Sequence, residues 1–281
     1  ECPYHGWRIR TGDGVCAKIP ALSESSDFPV ANMKTTRYPL NEEKGTVWIY
    51  MPADERRFDG TPAVAPPRLD TAASAAPKMH ICVPAAGPYD EAVIGLVDPA
   101  HTPFVHQQWF WRNPAEASEK IKEYEPTAMG FRMKAHPPSK NGRAYRLIGG
   151  NPTTEIEFHL PGLRYETIRN EKHTILSFTA ITPTTGSSSE IHHLVFWDMP
   201  LLSVLRPFVM PLARTFLSQD GQILSQQSDN IAREKPVMMY VDDPDMLAKW
   251  YLKLKRDWAS ARAEGRDFVN TLEPATLRWR T

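Results

Sequence analysis

Two short segments of this 281-residue chain bring metal-binding side chain types close together. The first is Cys2-Pro3-Tyr4-His5-Gly6-Trp7, a thiol and an imidazole with two residues between them. The second is Asp98-Pro99-Ala100-His101-Thr102-Pro103-Phe104-Val105-His106, two imidazoles and a nearby carboxylate. A thiolate beside an imidazole suits an iron–sulfur cluster with mixed ligands. Two imidazoles with a carboxylate suit a non-haem ferrous site that keeps open positions. Each segment alone has other readings. C-x-x-H is also half of a zinc site, and H-x4-H is also two unrelated histidines. The presence of both in one chain, with their Pro, Gly and aromatic neighbours, favours the redox reading.

The spacing sets a geometric condition. Five residues on an ideal helix turn through about 500°, so His101 and His106 would not share a face. Pro103 has no N–H to donate, and an interruption there would let both rings reach one metal. Asp98 stands three residues before His101, a neighbouring position on a helix. A carboxylate there can fix the tautomer of a ligating imidazole. Ile191–Trp197 reads as a strand, so His192 and His193 point to opposite faces. Either one of them faces a cavity and binds a polar substrate group, or both are exposed or paired. Trp109, in the run Gln107–Trp111, lines a pocket entrance or packs in the core. His80, His136, His159 and His173 are isolated in sequence and read as structural or exposed.

Together the two motifs resemble the catalytic α subunits of Rieske non-haem iron oxygenases, and the likeness runs over nearly the whole chain. In that family CPYHGW is the second half of the cluster motif, and D-x2-H-x4-H begins the mononuclear iron site. The resemblance implies Cys2 and His5 as ligands of a [2Fe–2S] Rieske cluster, and His101 and His106 as ligands of mononuclear Fe(II). It implies Asp220, in Ser218–Gln227, as the third iron ligand. A solvated helix-surface Asp is the bland alternative, with Asp229 and Asp242/Asp243 as weaker competitors. Asp98 would be a catalytic residue that connects the two metal centres, bridging to a cluster histidine of the neighbouring subunit in a homotrimer. Gly95 stands where the family often has Asn. The first half of the cluster motif, C-x-H, is not found, since Lys18 and Pro84 stand two residues after Cys16 and Cys82. The chain is therefore expected to be an N-terminally truncated copy whose cluster does not assemble. Zinc at Cys2 and His5 lacks a second ligand pair.

The implied activity is that of an oxygenase component using O2 and electrons from a separate reductase or ferredoxin. It would hydroxylate or O-demethylate an aromatic or similar cyclic substrate. The likeness is nearest to the vanillate and dicamba O-demethylase branch of monooxygenases. A ring-dihydroxylating dioxygenase α subunit is one alternative. A non-catalytic helix-grip module that holds an apolar ligand is another, and it would be expected to have lost one of the three iron ligands.

The elements must position these residues. Residues 1–51 read as short strands with turns, among them Thr11–Gly14 as a turn and Gly45–Tyr50 as a strand, the C-terminal part of an all-β Rieske domain. Residues 52–78, rich in Ala and Pro, read as a linker. Residues 79–281 read as the catalytic domain, α+β, with a helix-grip (START-like) antiparallel sheet around a long helix. Helices are expected over Tyr89–Asp98, over Leu202–Ser228 with interruptions near Pro207 and Pro211, and over Pro244–Glu264 with Asp243 as N-cap. Strands are expected over Lys120–Ala135, Tyr145–Ile148, Thr154–Leu160, Leu163–Ile168, Thr174–Thr184 and Glu190–Trp197.

Composition narrows the partners. Hydrophobic content is 41% and the formal net charge is zero, which gives no basic surface for nucleic acid or an anionic membrane. Pro200–Leu217 is the most apolar stretch, but with Arg206 and Arg214 it reads as a buried helical region rather than a span. Three irregularly spaced cysteines point to a reducing cytoplasm. Without a G-x-G-x-x-G or P-loop segment, electrons must come from another protein.

Overall fold

The computed structural model describes residues 1–52, 54–69, 73–106, 118–138, 148–234 and 236–281. The chain divides into two units, Glu1–Asp70 and Thr71–Thr281.

The first unit is built from two antiparallel pairs. β1 (Arg8–Ile9) pairs with β2 (Cys16–Lys18), and β3 (Leu40–Glu43) with β4 (Thr46–Ile49). The turn between β1 and β2 is fixed by Asp13, whose Oδ1 accepts the Val15 N–H at 3.0 Å. Val15, Cys16, Ile19 and Leu69 are buried. None of the described residues from 54 to 78 lies in a helix or strand.

The second unit is α+β. Its strands are β5 (Met79–Ala85), β6 (Glu119–Thr127), β7 (Gly130–His136), β8 (Thr153–His159), β9 (Leu163–Arg169), β10 (Thr174–Thr185), β11 (Ser188–Trp197) and β12 (Ala275–Arg280). Among the described residues they form one antiparallel sheet in the order β12-β6-β7-β8-β9-β10-β11-β5. Alternation drives it: in β5, Met79, Ile81, Val83 and Ala85 are buried, while His80, Cys82 and Pro84 point to the other face. The single strand expected over Lys120–Ala135 is a hairpin, β6 and β7, turning at Ala128-Met129. Most of the expected strand Tyr145–Ile148 lies outside the described residues.

Among the described residues four helices complete the unit: α1 (Tyr89–Val97), α2 (Thr102–Val105), α3 (Pro200–Glu234) and α4 (Met246–Ala263). Helix α4 buries Leu247, Tyr251 and Leu254, a single stripe at helical spacing. Its Trp250 meets Tyr124 of β6 and Phe131 of β7 edge-on, and Tyr251 meets Phe158 of β8. Asp243 does not cap α4. It begins a 3-10 turn, Asp243–Asp245, and its Oδ2 accepts the Arg278 N–H of β12 at 2.7 Å. Helix α1 is tied to α4 by Asp90, which accepts from Tyr251 Oη and Lys255 Nζ, both at 2.6 Å.

Helix α3 departs from expectation twice. It is continuous through Pro207 and Pro211. The two prolines stand four residues apart on one side, so the lost hydrogen bonds fall there and the ladder persists elsewhere. Nor is the helix buried: Leu201, Val204, Phe208 and Leu212 are exposed. Leu201 and Leu212 line an open cavity, which makes their surface accessible. Among the described residues α3 is the one helix long and apolar enough to cross a membrane, by length and composition alone. Its middle packs on β5, where a Cβ on Gly221 would lie 2.5 Å from the Pro84 carbonyl oxygen. Only glycine allows that approach.

Candidate metal centre

His101 and His106 flank α2, a helix of a single turn. Pro103 does not interrupt it. The proline stands in the first turn, where no N–H is required. The rings meet because the helix ends: His101 is still helical (φ −66, ψ −27), whereas His106 leaves it (φ −101, ψ 72). The ring centroids are 5.4 Å apart and near-perpendicular.

Asp220 reaches this pair from α3. Its Oδ1 is 3.2 Å from His106 Nε2 and 3.7 Å from His101 Nε2. The three side chains offer donor atoms all within 4.8 Å of one another. Metal–ligand bonds of about 2.1 Å put adjacent donors about 3 Å apart, so the set closes on an ion with small adjustments. His106 is 1% exposed, and His101 and Asp220 about a quarter, so one side of the group faces open space.

Each imidazole has a partner on its far side. His106 Nδ1 is 3.1 Å from Gln219 Oε1, which as an acceptor puts the proton on Nδ1 and leaves Nε2 free to ligate. Phe216 stacks on the same ring at 3.6 Å. His101 Nδ1 faces Asp98 Oδ2 at 3.5 Å, an ion-pair distance beyond a proper hydrogen bond, and is buried without a hydrogen-bond partner. The other Asp98 oxygen accepts the Ala100 N–H at 2.7 Å. Burial works against a charged His101 ring, but Asp98 and Asp220 outweigh it and raise its pKa.

The group opens onto a cavity of about 850 Å³. Its wall is mostly apolar, with Leu96, Val105, Phe131, Leu202 and Phe216 among its residues. A polar patch is contributed by the sheet. His193 lines the cavity, its Nδ1 2.9 Å from Thr179 Oγ1 and its Nε2 3.3 Å from Ser177 Oγ. Burial, with Arg164 nearby, pushes its pKa down to about 4, so the ring is neutral near pH 7. Arg164 pairs with Glu166 at 2.9 Å, and both line the cavity.

The sequence model of the vanillate O-demethylase oxygenase C-terminal domain matches residues 95–258, more than half of the chain. The chain belongs to that family. The vanillate O-demethylase oxygenase match takes in His101, His106 and Asp220. Among curated relatives, the TIC 55 protein of Arabidopsis thaliana chloroplasts is 32% identical over 249 residues, covering 84% of this chain and 43% of that protein. The 3-chlorobenzoate-3,4-dioxygenase oxygenase subunit of Comamonas testosteroni is 30% identical over 109 residues, covering 38% of this chain and 23% of that protein. The chain thus spans less than half the length of these relatives. Among solved structures, Pseudomonas putida CBB5 NdmA with caffeine aligns at TM-score 0.67 and 16% identity, over 94% of this chain and 73% of that one. Dicamba monooxygenase bound to dicamba aligns at TM-score 0.64 and 16% identity, over 94% and 80%. These likenesses show the fold, and with the family match they show the Rieske oxygenase catalytic-subunit kinship read from the motifs. The family implies non-haem iron and a Rieske cluster.

Cys2 and His5 lie on one exposed turn, closed by Gly6 N–H to Cys2 O at 2.9 Å, with Gly6 at φ +68. The backbone amides of Tyr4 and His5 point at the Cys2 sulfur and lower its pKa. His192 is on the sheet face opposite His193 and does not line the cavity. Trp109 lies outside the described residues. His136 was read as isolated but lines the cavity. Gln219, Phe216, Arg164 and Glu166 were not singled out. The signals were present: 216, 219 and 220 share a helix face, and 164 and 166 a strand face.

Proposed function

We propose that this chain is the catalytic part of a Rieske-type oxygenase, with His101, His106 and Asp220 holding mononuclear Fe(II). The observation that carries the reading is the convergence of these three donors from separate elements on the wall of a large apolar cavity. Ferrous iron in a two-histidine, one-carboxylate set has open positions where dioxygen can be activated. A Rieske cluster, with Cys2 and His5 as two of its ligands, would supply electrons one at a time. The reading is that the substrate is a small aromatic or cyclic compound that is hydroxylated or O-demethylated, with electrons from a separate reductase or ferredoxin.

The chain's own groups have definite tasks. Gln219 holds His106 in the tautomer that presents Nε2. Phe216 covers one face of that ring and excludes water. Asp98 faces His101 Nδ1 as an ion-pair partner, and in a homotrimer it would bridge to a cluster histidine of a neighbouring copy. Apolar cavity residues grip a ring by area burial. The neutral His193, with Thr179 and Ser177, is placed to hydrogen-bond a polar substituent. The oxygenase reading is favoured over a non-catalytic binding module because the donor set is complete.

The test uses protein loaded anaerobically with Fe(II), a panel of aromatic methyl ethers, and hydrogen peroxide to supply oxygen and oxidising equivalents. Formaldehyde or hydroxylated product, absent in Asp220→Ala, is the expected outcome. Tight binding of the aromatic compounds with neither stoichiometric iron nor product would replace this reading with the binding module.

A further inference from the structure

The outer face of the β5–β11 pair carries a second cluster of donors. In β11, Ile191, His193 and Val195 line the cavity, so Glu190 and His192 point to the opposite side. The antiparallel register sets Cys82 directly across from His192, with His80 two positions along β5. His80, Cys82, Glu190 and His192 thus share one face, and none lines the cavity.

Their side chains converge. His192 Nε2 is 3.2 Å from Glu190 Oε2 and 4.0 Å from Cys82 Sγ. The donor atoms of Cys82, Glu190 and His192 all lie within 4.8 Å of one another. Tetrahedral zinc, with bonds of about 2.3 Å to sulfur and about 2.0 Å to nitrogen and oxygen, sets its donors about 3.3 to 3.5 Å apart. The observed separations bracket those values. The other nitrogen of the same ring, His192 Nδ1, is 3.3 Å from His80 Nε2, and the two rings stack at 5.5 Å. A proton on Nδ1 donated to His80 leaves the Nε2 lone pair directed at the thiol and the carboxylate. Metal-ligating histidines typically donate their second nitrogen in this way.

We propose that Cys82, Glu190 and His192 form a second metal site, of the zinc type, with water in the fourth position and His80 as the positioning residue for His192. Sulfur among the donors separates it chemically from the all-nitrogen-and-oxygen set at Asp220, which favours iron. The ion would clasp the edge strand β5 to β11, the strand on which α3 and Gly221 rest. The proposal does not depend on the oxygenase reading, and either can fail alone.

The experiment titrates Co(II) into chelator-treated full chain carrying Asp220→Ala, which disables the other site. Co(II) stands in for zinc, and a thiolate ligand reports itself through a sulfur-to-cobalt charge-transfer band. The expected result is one equivalent bound with that band, retained in Cys2→Ser and lost in Cys82→Ser. Zn(II) should displace the cobalt. His80→Phe should keep the stoichiometry and weaken binding by about 10- to 100-fold. Glu190→Gln, an isosteric change on a half-exposed side chain, provides a second variant that should weaken binding with folding intact by circular dichroism. Absence of the band, or its survival in Cys82→Ser, would overturn the proposal.

Discussion

The two proposed ligand sets are held in different ways. Cys2 and His5 sit on an exposed turn, oriented by backbone hydrogen bonds within six residues. His101, His106 and Asp220 are set by α2, α3 and the sheet beneath them, and His106 is fully buried between Phe216 and Gln219. A ligand pair on a turn is specified by its own short sequence. A ligand set drawn from distant elements is specified by the packing that brings those elements together. The first can be read as a motif, whereas the second requires the core.

The contrast can be broken by mutation. The largest effect is expected from His106→Ala, which removes a proposed ligand, a stacked ring and a hydrogen bond at once. Stoichiometric iron, measured by mass spectrometry after anaerobic loading, should disappear, while Cys2→Ser leaves it unchanged. Loss of mononuclear iron in Cys2→Ser would show that the two regions are not independent in this respect. Next comes Gln219→Leu, which keeps the helix and removes the acceptor for His106 Nδ1–H. Iron affinity, read by chelator competition, should fall by about 10- to 100-fold. An unchanged affinity would mean that stacking on Phe216 alone sets the ring.

Gly221→Val tests whether contact with β5 positions α3. Its side chain would meet the Pro84 carbonyl, and urea unfolding should show a loss of about 1–3 kcal/mol. The smallest effect is expected from Tyr251→Phe. It removes a hydrogen bond to Asp90, but Lys255 still pairs with that carboxylate, so the loss should be about 1 kcal/mol. A loss several times larger would identify the α1–α4 clamp, rather than sheet packing, as what fixes the approach to His101.

Much of the sheet was legible in the sequence. Strands β8 to β11 are rich in β-branched and aromatic residues and are bounded by Pro, Gly, Asn or Ser, so their limits fell within about two residues of expectation. β5 was missed because Pro84 argues against a strand. It is tolerated because β5 is an edge strand, needing hydrogen bonds on one side only. β12 was missed because only Leu277 and Trp279 mark its inward face. In the site, His101 and His106 stood out through the D-x2-H-x4-H motif and its family resemblance, not through helical spacing, and the turn that joins them follows from helix length and not from Pro103. Asp220 came from family resemblance. Nothing local distinguishes it from Asp229 until the inward face of α3 is known, and 113 residues separate His106 from the Gln219 beside it. The same obstacle hid Phe216 and Gln219. His193 and His192 were separable as a pair by strand alternation, but which of them faced the cavity depended on the fold.

An anaerobic Fe(II) titration of the chain beside Asp220→Ala, followed by metal analysis and electron paramagnetic resonance, asks whether His101, His106 and Asp220 hold one ion. The expected result is about one mononuclear iron per chain, lost in the variant. Equal iron in both proteins, or none in either, would contradict the assignment of His101, His106 and Asp220 as a single metal centre.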